Sequence, residues 1–366
     1  MNASELLPFL PPREEMLRAG AARDASYDGL FYVAVATTGI FCRPSCPAKS
    51  PKPENVRHFA SAREALFAGF RPCLRCRPLE ASGAPPQWAQ ELLAAVEAAP
   101  EERLSDAELR RRGFEPATVR RYFTQHFGMT FQAYCRARRL GGAFTRIREG
   151  APVDEVTFDS GFESASGFRD AFARTFGATP GRVAPSVARS AAQAAHLEPV
   201  QLAWHESPIG PLLLGATEEG ACLCEFTDRR ALETQLEVIR KRFKRALVPG
   251  SNGPLDQLGE ELVDYFAGTR REFTVPLVVP ATPFEDRVWN VLRTIPYGET
   301  RSYSEVAAAA GAAKAVRAVG SANGRNRLAI VIPCHRVVNH DGQLGGYGGG
   351  LWRKRWLLDL EQRGGG

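Results

Sequence analysis

Two stretches of the chain carry the same apolar pattern at helical spacing. The apolar positions are Val119, Phe123 and Phe127 in the first copy and Phe168, Phe172 and Phe176 in the second. The copies are offset by 49 residues, and each is followed by a glycine and a threonine. Because residues four positions apart lie on one face of an α-helix, the pattern predicts two amphipathic helices with aromatic stripes in a core.

A shorter helical pattern precedes each of these helices, and a Gly-Phe pair separates the two. The first short pattern, residues 105–112, opens with a Ser-x-x-Glu capping box, and the second covers Val153–Asp159. A short helix, a glycine turn and a second helix make up the helix-turn-helix plan, here present twice. The alternative is a plain helical bundle whose aromatic stripes simply fill the core.

The polar faces of the second helices favour DNA binding over the plain bundle. The polar residues are Arg120, Arg121 and Gln125 on the first helix, Ser166, Arg169 and Arg174 on the second, and Arg136, Arg138 and Arg139 between them.

Near the C-terminus the pattern predicts three more helices and a strand. Capping boxes at 282–285 and 302–305 open the first two helices, and residues 314–324, which include several small side chains, make up the third. The apolar run 328–338 then predicts a buried strand that delivers Cys334 directly after Pro333. These elements predict another helix-turn-helix followed by an active-site strand.

The chain of 366 residues, 44% apolar and 24% charged, is typical of a globular protein with two to four domains at roughly 100–200 residues each. Stretches rich in Pro, Gly, Ala and Ser predict linkers at 81–86 and 184–195 and an internal joint at 274–283. The predicted domains are 1–80, 86–183, 196–280 and 281–366. No stretch approaches the ~18 apolar residues of a membrane span, and the N-terminus shows no secretory signal.

Charge is unevenly distributed along the chain. The net charge is +6, but residues 281–366 carry +5 and the preceding residues 191–280 carry −4. Of the basic residues 41 are Arg and 6 are Lys, which is expected either from nucleic-acid contact or from a GC-rich coding sequence.

Four of the eight cysteines form two close pairs, Cys42-x3-Cys46 and Cys73-x2-Cys76. Without an export signal they are expected to be reduced, which indicates metal binding or catalysis. Four thiolates satisfy tetrahedral Zn²⁺ at about 2.3 Å with no open position. The site is then a purely structural zinc knuckle, or a cluster of net charge −2 whose electron-rich sulfurs can be alkylated. Spacing does not choose among the four cysteines.

Cys334 has a histidine beside it and a basic environment, as a reactive thiolate needs. The alternative is a small buried apolar side chain, the usual state of a lone cysteine next to a strand.

Residues 86–183 resemble the AraC-type DNA-binding domain. The repeat, its spacing and the closing Gly-x-Thr-Pro-Gly at 177–181 carry the resemblance. It implies a longer helix at about 130–148 that joins the two units, and major-groove reading by both second helices, including Arg120 and Arg169.

Residues 8–80 look like the N-terminal domain of the Ada family, through the segments 38–49 and 70–78 around the four cysteines. The resemblance implies that Cys42 takes a methyl group from a methyl phosphotriester while it remains a zinc ligand. Loss of one negative charge at the cluster then raises DNA affinity. The expected phosphate contacts are Arg43, Arg71 and Arg75, together with Lys49 and Arg77. The alternative for each is a merely solvated basic surface.

Residues 198–363 resemble the O6-alkylguanine-DNA alkyltransferases, above all in Pro-Cys-His-Arg-Val at 333–337. The implied acceptor is Cys334, with His335 as its base through a water and Glu361 orienting the histidine. The other implied roles are Asn326 at the turn before the active-site strand, Tyr303 beside the target phosphate, Arg317 in place of the flipped base, and Tyr347 in the pocket wall.

The combined expectation is a multidomain α+β protein. Its parts are a small zinc-binding α/β domain, an all-α AraC-type double helix-turn-helix domain, a ribonuclease H-like α/β domain and a winged-helix-like alkyltransferase domain. It would repair O6-methylguanine, O4-methylthymine and methyl phosphotriesters in single turnovers, and would activate transcription. We further expect one Zn²⁺ and no organic cofactor, with double-stranded DNA and RNA polymerase as partners. The protein is expected to be a monomer in the bacterial cytoplasm, associated with the nucleoid. The rival hypothesis is a metal- or thiol-responsive transcription factor whose C-terminal part only binds DNA.

Overall fold

A computed structural model describes residues 10–79, 86–185, 197–229 and 231–363. The predicted linkers lie mostly outside these residues, as do the chain ends. Among the described residues, no helix has the length and apolar character needed to cross a bilayer. Four consecutive segments are considered in turn: the N-terminal, helical, sheet and C-terminal segments.

The N-terminal segment is a four-stranded sheet with a helix on each face. Its helices are α1 (Arg13–Ala22) and α2 (Ala62–Phe67), and its strands are β1 (Tyr32–Val35), β2 (Ile40–Cys42), β3 (Val56–Phe59) and β4 (Arg71–Pro72). The strand order is β3-β1-β2-β4, antiparallel except for the parallel β2–β4 pair. Phe31 and Val33 pack with α1, whereas Ala34 and Phe41 pack with α2.

The helical segment contains seven helices. They are α3 (Gln87–Ala98), α4 (Asp106–Arg111), α5 (Pro116–Phe127), α6 (Phe131–Arg148), α7 (Val153–Asp159), α8 (Ala165–Phe176) and α9 (Pro180–Val183). The predicted aromatic stripes of α5 and α8 are buried, which confirms the repeat. Both helices end at a glycine in the left-handed region, Gly128 with φ 65° and Gly177 with φ 70°. Ser105 caps α4 by accepting from the Glu108 amide at 3.2 Å, as its capping signature predicts.

The sheet segment carries helices on both sides of a four-stranded sheet. Its elements are β5 (Val200–His205), β6 (Leu212–Thr217), β7 (Gly220–Phe226), α10 (Leu232–Phe243), β8 (Leu247–Pro249) and α11 (Gly253–Phe266). The order is β7-β6-β5-β8, with β8 parallel to β5. Alternation along β6 sends Leu212 and Leu214 toward α11 and Leu213 toward α10.

The helical and sheet segments share one apolar core. The Phe127 ring stacks on Trp204 at a centroid distance of 5.3 Å, and both belong to the same apolar cluster. His126 Nδ1 lies 3.0 Å from the Thr227 carbonyl oxygen. At Gly141 of α6, an added Cβ would lie 3.1 Å from Val248 of β8, so this close approach requires a small residue.

The C-terminal segment packs four helices around a short parallel pair of strands. The elements are α12 (Pro283–Arg293), β9 (Arg301–Ser302), α13 (Tyr303–Ala309), α14 (Val316–Gly324), β10 (Val337–Val338) and α15 (Leu351–Arg363). Both predicted capping boxes are present, at Thr282 and Ser302. Helix α14 begins two residues later than predicted. The joint at 274–283 has no regular element before α12 apart from an isolated bridge between Leu277 and Ala221.

The predicted active-site strand is wrong. Residues 329–332 form tight turns, with Ile330 at φ 73° and the Ile332 amide donating to the Leu328 carbonyl at 2.8 Å. Cys334 opens a short 3₁₀ turn, and the run forms a strand only at Val337 and Val338, apart from an isolated bridge between Leu328 and Cys224. A run buried on every side has no period that separates a strand from packed turns, so the apolar pattern could not decide between them.

Candidate functional sites

Cys334 lies at the start of the 3₁₀ turn with 7% of its surface exposed. Asn326, in the turn after α14, holds it in place. The Asn326 Nδ2 group donates to Cys334 Sγ at 3.1 Å and to the Ile332 carbonyl at 2.9 Å, while its Oδ1 accepts from the Leu328 amide at 3.0 Å. Burial raises the pKa of the Cys334 thiol, against the Asn326 hydrogen bond and the positive charge of Arg229.

His335 and Glu361 form a fully buried pair beside the cysteine. His335 Nε2 lies 2.8 Å from Glu361 Oε1. The same oxygen accepts from the Tyr265 hydroxyl at 2.7 Å, and Arg336 donates to both carboxylate oxygens at 2.9 Å. The Gly298 amide completes the shell at 3.2 Å from Oε2.

The electrostatics of this pair fix the histidine tautomer. Burial alone would raise the pKa of Glu361, but His335 and Arg336 outweigh it and hold that pKa well below its ordinary range. Burial lowers the pKa of His335 against the attraction of Glu361, which favours a neutral ring. A neutral ring that donates from Nε2 to a carboxylate leaves a lone pair on Nδ1. Nδ1 is buried and has no hydrogen-bond partner among the described residues.

A cleft of about 960 Å³ opens onto Cys334. Its walls include Tyr303, Arg317, Asn323 and Tyr347, so three residues predicted for this site lie around the cysteine. The Tyr303 hydroxyl donates to the Gly346 carbonyl at 3.3 Å, and the Arg317 side chain is exposed.

The sequence analysis did not predict several residues of the Cys334 site. Tyr265 belongs to the sheet segment and carries no local signal, whereas Arg336 stands inside the Pro-Cys-His-Arg-Val string and was identifiable there. Arg229, also of the sheet segment, pairs with buried Glu225 and donates to the Asn326 carbonyl at 3.2 Å. A second contact of Arg229, with the Gly324 carbonyl, caps the end of α14.

The four N-terminal cysteines come together as predicted. All four Sγ atoms lie within 4.8 Å of one another, close to the edge of about 3.8 Å expected for a tetrahedral Zn²⁺–sulfur site. The parallel β2–β4 pair places Cys42 beside Cys73, and the Arg43 amide donates to Cys76 Sγ at 3.4 Å. Thiol donors in a closed set of four fit one Zn²⁺.

The surroundings of the cysteine cluster divide into buried and exposed groups. Arg71 and Arg75 are exposed, whereas Arg43 is half-buried and donates to the Arg77 carbonyl at 2.9 Å. Asp28 is buried and accepts hydrogen bonds from the amide and the hydroxyl group of Ser45, which lies between Cys42 and Cys46 in sequence. The sequence analysis did not identify Asp28 as part of this site.

Of the arginines predicted to contact DNA in the helical segment, some are exposed and others make contacts within the protein. Arg169 on α8 is exposed, and Arg120 on α5 is exposed and pairs with Asp106 at 3.2 Å. Arg138 instead pairs with Glu97 at 3.0 Å, and Arg139 stacks over Phe162 at 5.3 Å. Of the three arginines predicted on the joining helix, these two therefore make structural contacts.

Comparison with known proteins decides the family. Four family descriptions match: the metal binding domain of Ada at residues 15–79, a helix-turn-helix domain at 109–185, the ribonuclease-like domain of 6-O-methylguanine DNA methyltransferase at 202–279, and its DNA binding domain at 283–363. The bifunctional transcriptional activator/DNA repair enzyme Ada of Escherichia coli is 36% identical over 93% of this chain and 94% of its own. The chain belongs to the Ada family.

Further relatives match a little under half of the chain. The methylated-DNA–protein-cysteine methyltransferase of Mycobacterium tuberculosis is 50% identical over 43% of the chain and 89% of its own length. A crystal structure of the M. tuberculosis protein with DNA is 42% identical, covers 45% of the chain and 94% of its own, and has a TM-score of 0.40. The Ada zinc-binding family and the four gathered thiols support one Zn²⁺ in this chain.

Proposed function

We propose that the chain is a bifunctional repair protein and transcriptional activator that accepts methyl groups at Cys334 and Cys42. The observation that carries the proposal is the arrangement at Cys334, whose Sγ accepts from Asn326 beside a His335–Glu361 pair and opens into a cleft. A nucleophile, a base and an orienting carboxylate are the parts that thiol group transfer needs.

At Cys334 the substrate is O6-methylguanine, and O4-methylthymine by the same chemistry. The thiol passes its proton through a bridging water to His335 Nδ1, whose lone pair is free because Nε2 donates to Glu361. The thiolate attacks the methyl carbon, so that an S–C bond forms as the C–O6 bond breaks. The electron pair leaves with the base, which regains a proton from Tyr303. The product is S-methylcysteine.

The base must leave the DNA stack to reach this cysteine, which costs a few kcal/mol. Arg317 and Tyr347 line the same cleft as Cys334. In the proposal Arg317 occupies the place of the flipped base, and Tyr347 forms the pocket wall. The small residues of α14, including Gly320, permit its close approach to the duplex.

At Cys42 the donor is a methyl phosphotriester in the DNA backbone. The sulfur attacks the methyl carbon, and the C–O bond breaks with its electron pair returning to the phosphate as a diester. Cys42, Cys46, Cys73 and Cys76 would hold one Zn²⁺, which keeps their sulfurs deprotonated at neutral pH. Methylation of Cys42 removes one negative charge from the cluster and so weakens the repulsion between the cluster and the DNA phosphates. The phosphate contacts of Arg43, Arg71 and Arg75 then meet less opposition, and DNA affinity rises.

The helical segment then binds promoter DNA through α5 and α8, including Arg120 and Arg169, and recruits RNA polymerase. The proposal includes a monomer in the bacterial cytoplasm, associated with the nucleoid. Because no thiolate is regenerated from a thioether, each cysteine acts once, as a single-turnover methyltransferase.

Separate cysteine variants test this division of labour. Cys42→Ala should abolish methylation-dependent activation of a reporter promoter while O6-methylguanine repair continues, because the two acceptors lie in different segments. Cys334→Ala should do the reverse. Zinc content and circular dichroism of both variants control for folding. Equal loss of both activities in either folded variant would contradict the proposal, and failure of both cysteines to take methyl groups would favour the DNA-binding-only rival.

A further inference from the structure

Asn323 lies in the wall of the cleft that opens onto Cys334, but the transfer chemistry at that cysteine does not use it. It belongs to the last turn of α14, and 8% of its surface is exposed. Two hydrogen bonds connect it with the reactive thiol. The Asn323 carbonyl accepts from the Asn326 amide at 3.1 Å, and Asn326 Nδ2 donates to Cys334 Sγ at 3.1 Å. The backbone therefore fixes the position of Asn323 relative to the acceptor sulfur.

The end of α14 is held on both sides of Asn323 in sequence. The Trp289 indole donates to the Ala322 carbonyl at 3.0 Å, and the Arg229 guanidinium donates to the Gly324 carbonyl. A side chain on such a fixed backbone presents its polar atoms to a ligand without the entropic cost of ordering the chain. Asn323 is therefore pre-organised for a contact inside the cleft.

The amide group of Asn323 is buried and unpaired in the part of the chain that the structure describes. Neither Oδ1 nor Nδ2 has a hydrogen-bond partner there. The side chain lies close enough to Tyr303 to lower the pKa of that phenol against the effect of burial, but it makes no hydrogen bond of ordinary geometry with it. A buried amide without partners costs free energy, so native proteins keep few of them. The Tyr347 hydroxyl is a second such group in the same wall.

The unpaired donor and acceptor of this amide match one edge of O6-methylguanine. The exocyclic amino group of that base is its only N–H donor, and the ring nitrogens N1 and N3 on either side of it are acceptors. An amide whose Oδ1 accepts from the amino group can donate from Nδ2 to a neighbouring ring nitrogen. The terminal torsion of an asparagine side chain is soft, so rotation about it turns the amide toward a base in the cleft.

O4-methylthymine does not offer this pattern. Its corresponding edge presents the acceptors N3 and O2 and no donor, so Asn323 Oδ1 would stay unpaired beside it. A site built to hydrogen-bond an N–H group discriminates against a ligand that lacks it, because the buried acceptor of the site is then left without a partner. The amide therefore distinguishes the two methylated bases.

We propose that Asn323 is a specificity-determining residue of the Cys334 cleft, whose side-chain amide hydrogen-bonds the amino edge of the flipped guanine and so favours O6-methylguanine over O4-methylthymine. The inference rests on the proposed transfer to Cys334. It assigns to Asn323 a direct contact with the base, separate from the hold that Asn326 has on the cysteine.

A base analogue that lacks only the amino group isolates this contact. Duplexes carry O6-methylguanine, O6-methylhypoxanthine or O4-methylthymine at one position, and the rate of single-turnover methyl transfer to Cys334 of the full-length zinc protein is measured for each. Asn323→Leu keeps the branched shape of the side chain and removes the amide. Asn290→Leu makes the same change at an exposed position of α12 and is the matched control.

The wild type should react with O6-methylguanine faster than with O6-methylhypoxanthine by on the order of tenfold, because the analogue leaves Asn323 Oδ1 unpaired. In Asn323→Leu this ratio should fall toward one, and the preference over O4-methylthymine should fall by a similar factor. Asn290→Leu should keep the wild-type ratios. A merely structural role of Asn323 would slow the three reactions alike, so wild-type ratios in Asn323→Leu would overturn the proposal.

Equilibrium binding tests the contact without methyl transfer. In Cys334→Ser the protein should bind the O6-methylguanine duplex more tightly than the O6-methylhypoxanthine duplex, and addition of Asn323→Leu should remove the difference. Equal affinities of Cys334→Ser for the two duplexes would overturn the proposal. If the preference is present but no methyl group reaches Cys334 in the wild type, the transfer fails and the contact of Asn323 with the base stands.

The stability of Asn323→Leu is a further test that needs no DNA. Because the substitution removes an unpaired buried amide, the variant should unfold in urea at a midpoint no lower than that of the wild type. A variant that is markedly destabilised, or that fails to fold, would show that the amide has a structural partner, and it would overturn the proposal.

Discussion

Glu361 accepts five hydrogen bonds from four residues at a position with no solvent exposure. Two of the donors, His335 and Arg336, follow Cys334 in sequence, and a third, Tyr265, comes from the sheet segment. A carboxylate bound on both oxygens cannot rotate freely, so it fixes the imidazole that it accepts from. At the residue scale, the orientation of the base therefore depends on two segments of the chain.

Replacement of Glu361 by Gln tests this role. The change leaves Arg336 buried without its counter-charge, which costs about 3 kcal/mol or more in the free energy of unfolding. It also weakens His335 as a base, and we expect methyl transfer to Cys334 to slow by about 10²-fold or more. Single-turnover kinetics and urea denaturation measure the two effects. Asp359→Asn on the same helix is the control, and a wild-type transfer rate in Glu361→Gln would contradict the assignment.

The same carboxylate predicts how stability depends on pH. Its pKa is lower in the folded protein than in the unfolded chain, so its stabilising contribution is present above the unfolded value of about 4.3. That contribution is lost as the pH falls. Between about pH 5 and pH 3 the wild type should therefore lose more stability than Glu361→Gln, which has no such group to protonate. Parallel losses in the two proteins would contradict the depressed pKa.

At the scale of elements, local sequence signals located the helices well. The helix ends are set by local signals: the capping boxes at Thr282 and Ser302, and the glycines that end α5 and α8. These signals act through hydrogen bonds between residues a few positions apart, so the helix ends could be predicted from the sequence. The turns before Cys334 are different, because Asn326 fixes them through contacts with Ile332 and Cys334 that no local pattern records. The Pro-Cys-His-Arg-Val motif therefore identified Cys334 as the nucleophile, but it did not predict the backbone conformation around it.

The repeat supplies a matched pair of positions for a test of α5 and α8. Gly128 and Gly177 end equivalent helices with nearly equal φ, but a Cβ on Gly128 would lie 2.6 Å from Leu236 Cδ1, whereas a Cβ on Gly177 has nothing within 4 Å. Gly177→Ala should cost about 1–2 kcal/mol, the cost of a left-handed alanine. Gly128→Ala should cost up to about 1 kcal/mol more, because the end of the buried Leu236 side chain must move to admit the methyl group. Equal losses in thermal or urea unfolding would show that α5 does not pack against α10 in solution.

At the scale of the whole molecule, the helical and sheet segments meet through apolar side chains far apart in sequence. Phe127 and Trp204 illustrate why this interface was beyond sequence reasoning: each looks like an ordinary core residue of its own segment, and their stacking follows only from the fold. The linker predicted between the two segments lies mostly outside the described residues. The order of the four segments was predictable from motifs, but their packing was not.

A double-mutant cycle measures this packing directly. Phe127→Leu and Trp204→Leu should each destabilise the protein, and their combined effect should depart from additivity by about 0.5–1.5 kcal/mol, the coupling of an aromatic pair. Urea unfolding of the four proteins gives the coupling energy. Additivity within about 0.3 kcal/mol would mean that the two rings are not in contact in solution.

One single-turnover experiment tests methyl transfer to the two separate cysteines. The full-length zinc protein is mixed with a duplex that carries either O6-methylguanine or a methyl phosphotriester, each with an isotopically labelled methyl group, and its peptides are mapped by mass. We expect label on Cys334 from the first duplex and on Cys42 from the second, with no more than one methyl group per cysteine. Label on any other residue, or transfer from neither duplex, would contradict it.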